Sequence, residues 1–158
     1  MMSSVLRFIQ VFALGTWIGS IFYFSAAVAP GAFRVLSSQD QAGLLVEFTL
    51  RRLHTLGVVA GLLFLFACAI LALSREGGGK SLLLPVAGVV IMLVLTVISQ
   101  HVVIRRMIAL RRQMVSVAST PPENPLRVEF DRLHGVSVKL EGSVLLLGFA
   151  SLYLAVRK

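Results

Sequence analysis

The residues whose types and placement could do chemistry are three histidines, His54, His101 and His134, with Glu141 and Lys139, in a chain otherwise built of apolar blocks. Each histidine stands at the end of a block: His54 opens the second, His101 closes the third and His134 opens the fourth. If successive blocks run antiparallel, the three imidazoles reach one depth. Imidazoles on facing helices are a common way to hold a metal or haem in a bundle, so the set, with Glu141, is a candidate ligand group for a metal ion or haem b. The plainer reading has interfacial histidines meeting carbonyls, water or headgroups, and the absence of a tight His-x-x-x-His pair weighs toward it. Glu141 follows His134 by seven residues, which puts both on one helix face. An ionisable group at membrane depth is costly and faces a protein interior or water. An inward Glu141 is therefore a proton site, a cation ligand or a structural partner. Lys139 lies near enough to the end of its block to snorkel outward.

Other polar signals are weaker. Gln100 and Thr96 form a short stripe suited to hydrogen bonding between helices. Gly15-x-x-x-Gly19 and Gly57-x-x-x-Gly61 are small-residue motifs that let helix backbones approach closely, within the bundle or between two copies. Gly57 and Gly61 share a face with His54, so that groove has room for a planar group. Gly78-Gly79-Lys80-Ser81 mimics the end of a phosphate-binding loop, but Ser74 stands where the first glycine is required and no strand precedes it. The segment reads instead as a hairpin with Ser81 as a helix cap. Cys68 is the single cysteine, so neither an intramolecular disulfide nor a thiolate cluster can form. No Ser-His-Asp or Cys-His arrangement is identifiable. The chain reads as a non-enzyme more readily than as an enzyme.

The elements that must position these residues follow from composition. The chain has 158 residues, 57% hydrophobic and 14% charged, with mean hydropathy +0.90. Soluble domains carry about 25% charged residues, so too few charges are present to cover a water-facing globule. Four segments are long enough to cross a bilayer: 5–29, 53–73, 82–104 and 133–156. In hydrocarbon they must be helices, because an open strand leaves backbone groups unpaired. The expected fold is all-α, a single integral membrane four-helix bundle with helices extended beyond the bilayer on one side. The run Val5–Ala29 ends in a small-residue pattern like a signal-peptidase site. Its length and the following Pro30 favour a retained helix.

A net charge of +8 and a pI of about 11.1 would point to nucleic acid in a soluble protein. Here the basic residues flank apolar blocks, which excludes that class and points to lipid. Arg51, Arg52, Arg105 and Arg106 are the expected headgroup contacts. The end holding the first and third connections is the richer in arginine, which places it in the cytoplasm and both termini outside, in a bacterial inner membrane. Glu76-Gly77-Gly78-Gly79-Lys80 forms a tight hairpin. Ser38 or Asp40 caps a helix that starts before the second span, Ile104–Val117 prolongs the third span, and Thr120–Pro125 is the turn that ends it. The fourth helix starts near Asn124 or Pro125.

A weak repeat relates Glu47-Phe48-x-x-Arg51-Arg52-Leu53-His54 to Glu129-Phe130-Asp131-Arg132-Leu133-His134. Trp17-Ile18-Gly19, Ala29–Leu36, Ala42-Gly43, Arg52-Leu53-His54 with Gly57, Phe130-x-Arg132-Leu133-His134-x-x-Ser137-Val138 and Leu145–Gly148 resemble the transmembrane protein 205-like family over nearly the whole chain. In bacteria that family is a domain of unknown function. One departure is Glu141, where the family pattern leads one to expect asparagine. The fold is also distantly similar to copper-resistance protein D and HemJ-type oxidases, whose haem is held by a first-helix histidine that is missing here. The resemblance implies a four-helix membrane protein without a settled activity.

Three functions remain open: metal-ion or small-cation binding or transport through a histidine-lined polar site, a haem-binding redox protein, and a structural subunit or homo-oligomer within a larger membrane complex. The charge asymmetry makes one direct prediction. A cysteine at Gly78 should react with a membrane-impermeant maleimide from outside intact cells, and labelling only after permeabilisation would reverse the orientation.

Overall fold

A computed structural model describes residues 2–74 and 79–157. Four long helices account for nearly all of it, and no strand occurs among the described residues. Helix α1 comprises Met2–Tyr23, a π-helical turn Phe24–Val28 and Ala29–Val35. Helix α2 is Gln39–Leu73. Helix α3 comprises Gly79–Ile98, a second π-helical turn Ser99–Ile104 and Arg105–Gln113. Helix α4 is Pro125–Val156. Each of the four contains a stretch long and apolar enough to cross a membrane.

Local chemistry sets where these helices begin. Ser38 caps α2, its hydroxyl accepting from the Gln41 amide at 3.4 Å. Asn124 caps α4, its side chain accepting from the Leu126 amide at 2.9 Å with Pro125 in the first turn. The alternative cap, Asp40, is used elsewhere, as described below. Three boundaries differ from the sequence reading. Helix α1 does not stop near Ala29 but runs through Pro30 to Val35. Proline cannot donate to the carbonyl four residues back and crowds it, and the widened turn Phe24–Val28 immediately before takes up that mismatch. Helix α3 ends at Gln113, before Val117, because Met114 turns extended (φ −98°, ψ 142°). Ser81 lies inside α3 rather than at its cap, since Gly79 is already helical. Arg75 and the Glu76-Gly77-Gly78 part of the expected hairpin lie outside the described residues.

The helices form a ring in which α1 packs on α2, α2 on α3, α3 on α4 and α4 back on α1. The pairing of Gly61 with Leu93 and of His54 with Gln100 shows α2 and α3 running antiparallel. The core is apolar and tight: Leu14, Trp17 and Ile21 from α1, Phe64 from α2, Val89 and Met92 from α3 and Val144 from α4 are almost wholly buried. Glycines set the close approaches. A Cβ on Gly57 would meet the Trp17 indole, one on Gly61 would meet Leu93, and one on Gly148 would meet Ile18, each closer than 3.0 Å. The planar group admitted by the Gly57-x-x-x-Gly61 groove is thus the chain's own Trp17. Gly15 and Gly19 face outward, with nothing within 4 Å of an added Cβ. One buried polar contact crosses this core, Gln10 Nε2 donating to Cys68 Sγ at 3.0 Å.

The outer surface is apolar as well. Phe8, Phe12, Phe22, Phe66, Leu84, Leu146 and Phe149 are all exposed. A water-soluble monomer does not present apolar surface on this scale, whereas a hydrocarbon surround accepts it without cost. The packing generates a test. Gly57→Ala should destabilise by about 1–3 kcal/mol, because the indole and its rigid neighbours must shift, while Gly15→Ala should be neutral. Reaction of Cys68, buried in the fold, with a thiol dye on heating in detergent reports both.

Candidate functional site

His54 is the most deeply buried ionisable side chain of the bundle's polar interior, at 2% relative exposure. It begins the membrane-depth part of α2, between α3 and α4, and each neighbour contributes one group. Its Nδ1 lies 2.8 Å from Gln100 Oε1 on α3, and its Nε2 makes a very short contact with Glu141 Oε1 on α4. Gln100 belongs to the π turn Ser99–Ile104. An extra residue in a helical turn rotates everything after it by about 100°, so this turn decides which α3 side chains meet α2. Such turns are frequent at functional sites.

With the Gln100 carbonyl turned toward the ring, the contacts imply one proton arrangement. Gln100 Oε1 can only accept, so His54 Nδ1 carries a hydrogen and donates to it. Two acceptors cannot face one another across the short Nε2–Oε1 contact, so one proton sits between imidazole and carboxyl. The site is then neutral overall, either as imidazole with carboxylic acid or as imidazolium with carboxylate. Neutrality is what low-dielectric surroundings demand. Thr96, Ser99 and Ser137 are buried on the same two helices as Gln100 and Glu141, and Ser99 Oγ is buried with no hydrogen-bond partner among the described residues.

Glu141 also opens onto a cavity of about 670 Å³. Its walls come from Ile21–Phe33 of α1, Gln39–Leu50 of α2, the end of α3, residues 117 and 118 of the connection, and Arg127–Leu145 of α4. Most of the lining is apolar, including Phe24, Phe33, Leu50 and Phe130. His134, Ser137 and Glu141 line it together, as their common helix face requires. Towards the arginine-rich end the lining is charged and cross-linked. Arg111 Nη1 donates to Glu47 Oε2 at 2.6 Å, and its guanidinium lies 5.7 Å from the centre of the Phe130 ring. Gly43 lies against that arginine, where an added Cβ would make an ordinary contact at 3.4 Å. Asp40 accepts from Ser116 Oγ and from the Val117 amide, the latter at 3.1 Å. Arg127 donates to Asp131 at 2.9 Å and to the Val117 carbonyl.

The residues singled out from sequence therefore separate. His54 and Glu141 meet. His134 lines the cavity but is exposed, and His101 is exposed on the outside of α3. The structure does not gather the three imidazoles, and no group of three or more His, Cys, Asp or Glu side chains able to hold a metal occurs among the described residues. Both ring nitrogens of His54 already have partners, so ligating a metal there requires one bond to break. The two halves of the weak repeat also differ, His54 buried and His134 exposed. Lys139 is exposed, as are Arg51, Arg52, Arg105 and Arg106. Arg106 pairs with Glu129 at 2.9 and 3.2 Å, and Arg52 sits 5.3 Å from the centre of the Phe48 ring. The sequence assigns Gln100 a packing role, Asp40 a capping role and Glu47 and Asp131 only places in the weak repeat, and it gives no site role to Arg111 or Arg127. The available signal was the seven-residue spacing of Asp40 and Glu47 on one helix face in a chain with only seven acidic residues.

Fold and site together define a multi-pass helical membrane protein with a polar group inside the bundle. Residues 12–116, two thirds of the chain, match a family described as a domain of unknown function, DUF4149, and the chain belongs to that family. No curated protein and no solved structure matches the chain. The matched span holds His54 and Gln100 but stops before α4, which supplies Glu141.

The geometry predicts strong coupling between His54 and Glu141. His54→Ala should destabilise by about 3–5 kcal/mol, because it strands a buried acid and the Gln100 carbonyl. His54→Ala with Glu141→Ala should cost less than the sum of the two single changes, by about 0.5–3 kcal/mol. Unfolding in mixed micelles measures the cycle, and additive losses would mean the two groups do not act as a pair.

Proposed function

We propose that this protein is a polytopic membrane protein that binds and releases a proton at the His54–Glu141 pair and, by exchange with that proton, handles a small cation. The observation that carries the reading is a buried imidazole in contact with a carboxyl group that opens onto a cavity. Intramembrane ionisable groups are expensive and mark proton relays and ion pathways more often than they serve packing. A purely structural role needs neither the cavity nor Glu141 on its wall.

The proposal extends to placement. The arginine-rich end, with helix ends projecting beyond the bilayer and Arg51, Arg52, Arg105 and Arg106 near anionic headgroups, faces the cytoplasm of a bacterial inner membrane. Membership of the transmembrane protein 205-like group, and a distant likeness to copper-resistance protein D or HemJ-type proteins, belong to the same proposal. They rest on the motif resemblance alone. The haem and multi-histidine metal readings have no comparable support, since His101 and His134 do not join His54, and no observation favours the complex-subunit reading.

Infrared spectroscopy of protein reconstituted in lipid tests the reading across a pH titration. A protonated-carboxyl stretch that fades as pH rises, is lost in Glu141→Gln and shifts in His54→Gln is the expected result. Spectra of wild type and Glu141→Gln that coincide at every pH would overturn it.

A further inference from the structure

The cavity beside Glu141 has a charge balance opposite to that of the protein. The chain carries 15 Lys and Arg against seven Asp and Glu. The cavity wall reverses this ratio, with four carboxylates, Asp40, Glu47, Asp131 and Glu141, against two guanidinium groups, Arg111 and Arg127. Four of the chain's seven acidic residues thus converge on one space, with two basic residues, Arg111 and Arg127, among the described lining. Two of the four acids are neutralised by the two arginines, Glu47 by Arg111 and Asp131 by Arg127. Asp40 is held by Ser116 and Val117. Glu141 is left as the acid whose only charged partner is an imidazole that can lose its charge.

The rest of the wall is apolar and large enough for an organic molecule. At about 670 Å³ the space falls in the range of small-molecule sites, which are mostly apolar with a few convergent polar groups. Aromatic rings of Phe24 and Phe33 from α1 and Phe130 from α4 line it, and aromatic faces favour cations. Phe33 and Val138 belong to the wall and are also exposed on the protein's apolar exterior. The cavity is therefore bounded by side chains that a molecule dissolved in the membrane can reach.

We infer that the cavity takes an amphipathic organic monocation, with its apolar body against Phe24, Phe33, Leu50 and Phe130 and its positive centre at Glu141. This rests on the proton-exchange reading and names the cation. When the ligand arrives, the proton between His54 Nε2 and Glu141 leaves to water at the arginine-rich end, imidazole stays neutral, and carboxylate faces the cation. One positive charge replaces another, so the interior is neutral in both states. The charged and titratable groups facing this event are His54, Asp40 and Glu47 from α2, Arg111 from α3, and Arg127, Asp131 and His134 from α4; α1 brings none to the lining.

The test uses full-length protein in lipid nanodiscs and two probes of closely matched size, tetraphenylphosphonium and tetraphenylborate, with binding measured by equilibrium dialysis from pH 5 to 9. The cation should bind saturably and more tightly as pH rises, and the anion should show only non-saturable partition. Glu141→Gln should weaken the cation at least about tenfold, the loss expected when one partner of a buried charge contact is removed, and should flatten the pH dependence. Ser25→Trp, which fills the cavity from its exposed edge without touching the pair, should weaken the cation similarly while leaving the infrared carboxyl signal unchanged. No saturable cation binding, equal binding of the anion, or unchanged affinity in Glu141→Gln would each overturn the inference. If the carboxyl signal titrates while the cation fails to bind, the ligand class is wrong and the proton site stands; if neither occurs, both fall.

Discussion

The imidazole–carboxyl contact between α2 and α4 is the constraint around which this bundle is arranged. Neither group can remain charged alone in a medium of low dielectric, and neither can be moved to water without undoing helix packing. They must find each other and share a proton. That requirement fixes the rotation of α2 relative to α4. Gln100 then completes the group from α3 by accepting from the remaining ring nitrogen. Three helices are tied at one depth by two hydrogen bonds, while the fourth, α1, contributes Trp17 to the notch of Gly57 and Gly61 one to two turns further along α2.

At the arginine-rich end a different interaction scheme takes over. There Glu47 pairs with Arg111 and Glu129 with Arg106 between helices and Asp131 with Arg127 along α4, and the connection between α3 and α4 is bound to α2 and α4. Asp40, at the start of α2, receives hydrogen bonds from Ser116 and Val117, and Arg127 of α4 holds the Val117 carbonyl. A segment of turn residues is thereby placed over the cavity. The two π turns sit beside the same space: Phe24 and Ser25 in one, Ile104 in the other. Departures from regular helix geometry are concentrated where the polar group and the cavity meet, while the glycine-packed core is regular.

The histidines illustrate how far local sequence carries. Placing all three at the ends of apolar blocks was correct as a statement about position along the chain, and it says nothing about azimuth. His54 turns inward from α2, whereas His101 faces outward from the widened turn Ser99–Ile104 of α3. His134 faces the cavity because it shares a face with Ser137 and Glu141. The repeat pairing His54 with His134 equates residues whose surroundings differ. In contrast, the common face of His134 and Glu141 was legible, since α4 is regular between them and spacing converts directly to direction.

Four apolar segments, the caps at Ser38 and Asn124, the close-packing glycines at 57 and 61 and the cost of Glu141 were all determined by the amino-acid sequence, because hydropathy, capping and helical period are local properties that act within a few residues. The partnership of His54 with Gln100 and Glu141, the seating of Trp17 in the glycine notch, the capture of Val117 by Asp40 and the gathering of four carboxylates around one cavity were decided only by tertiary structure. Those partners lie tens of residues apart, and which of them meet depends on helix rotation. One extra residue in a π turn alters that rotation, and no local pattern in the sequence marks where such a turn falls.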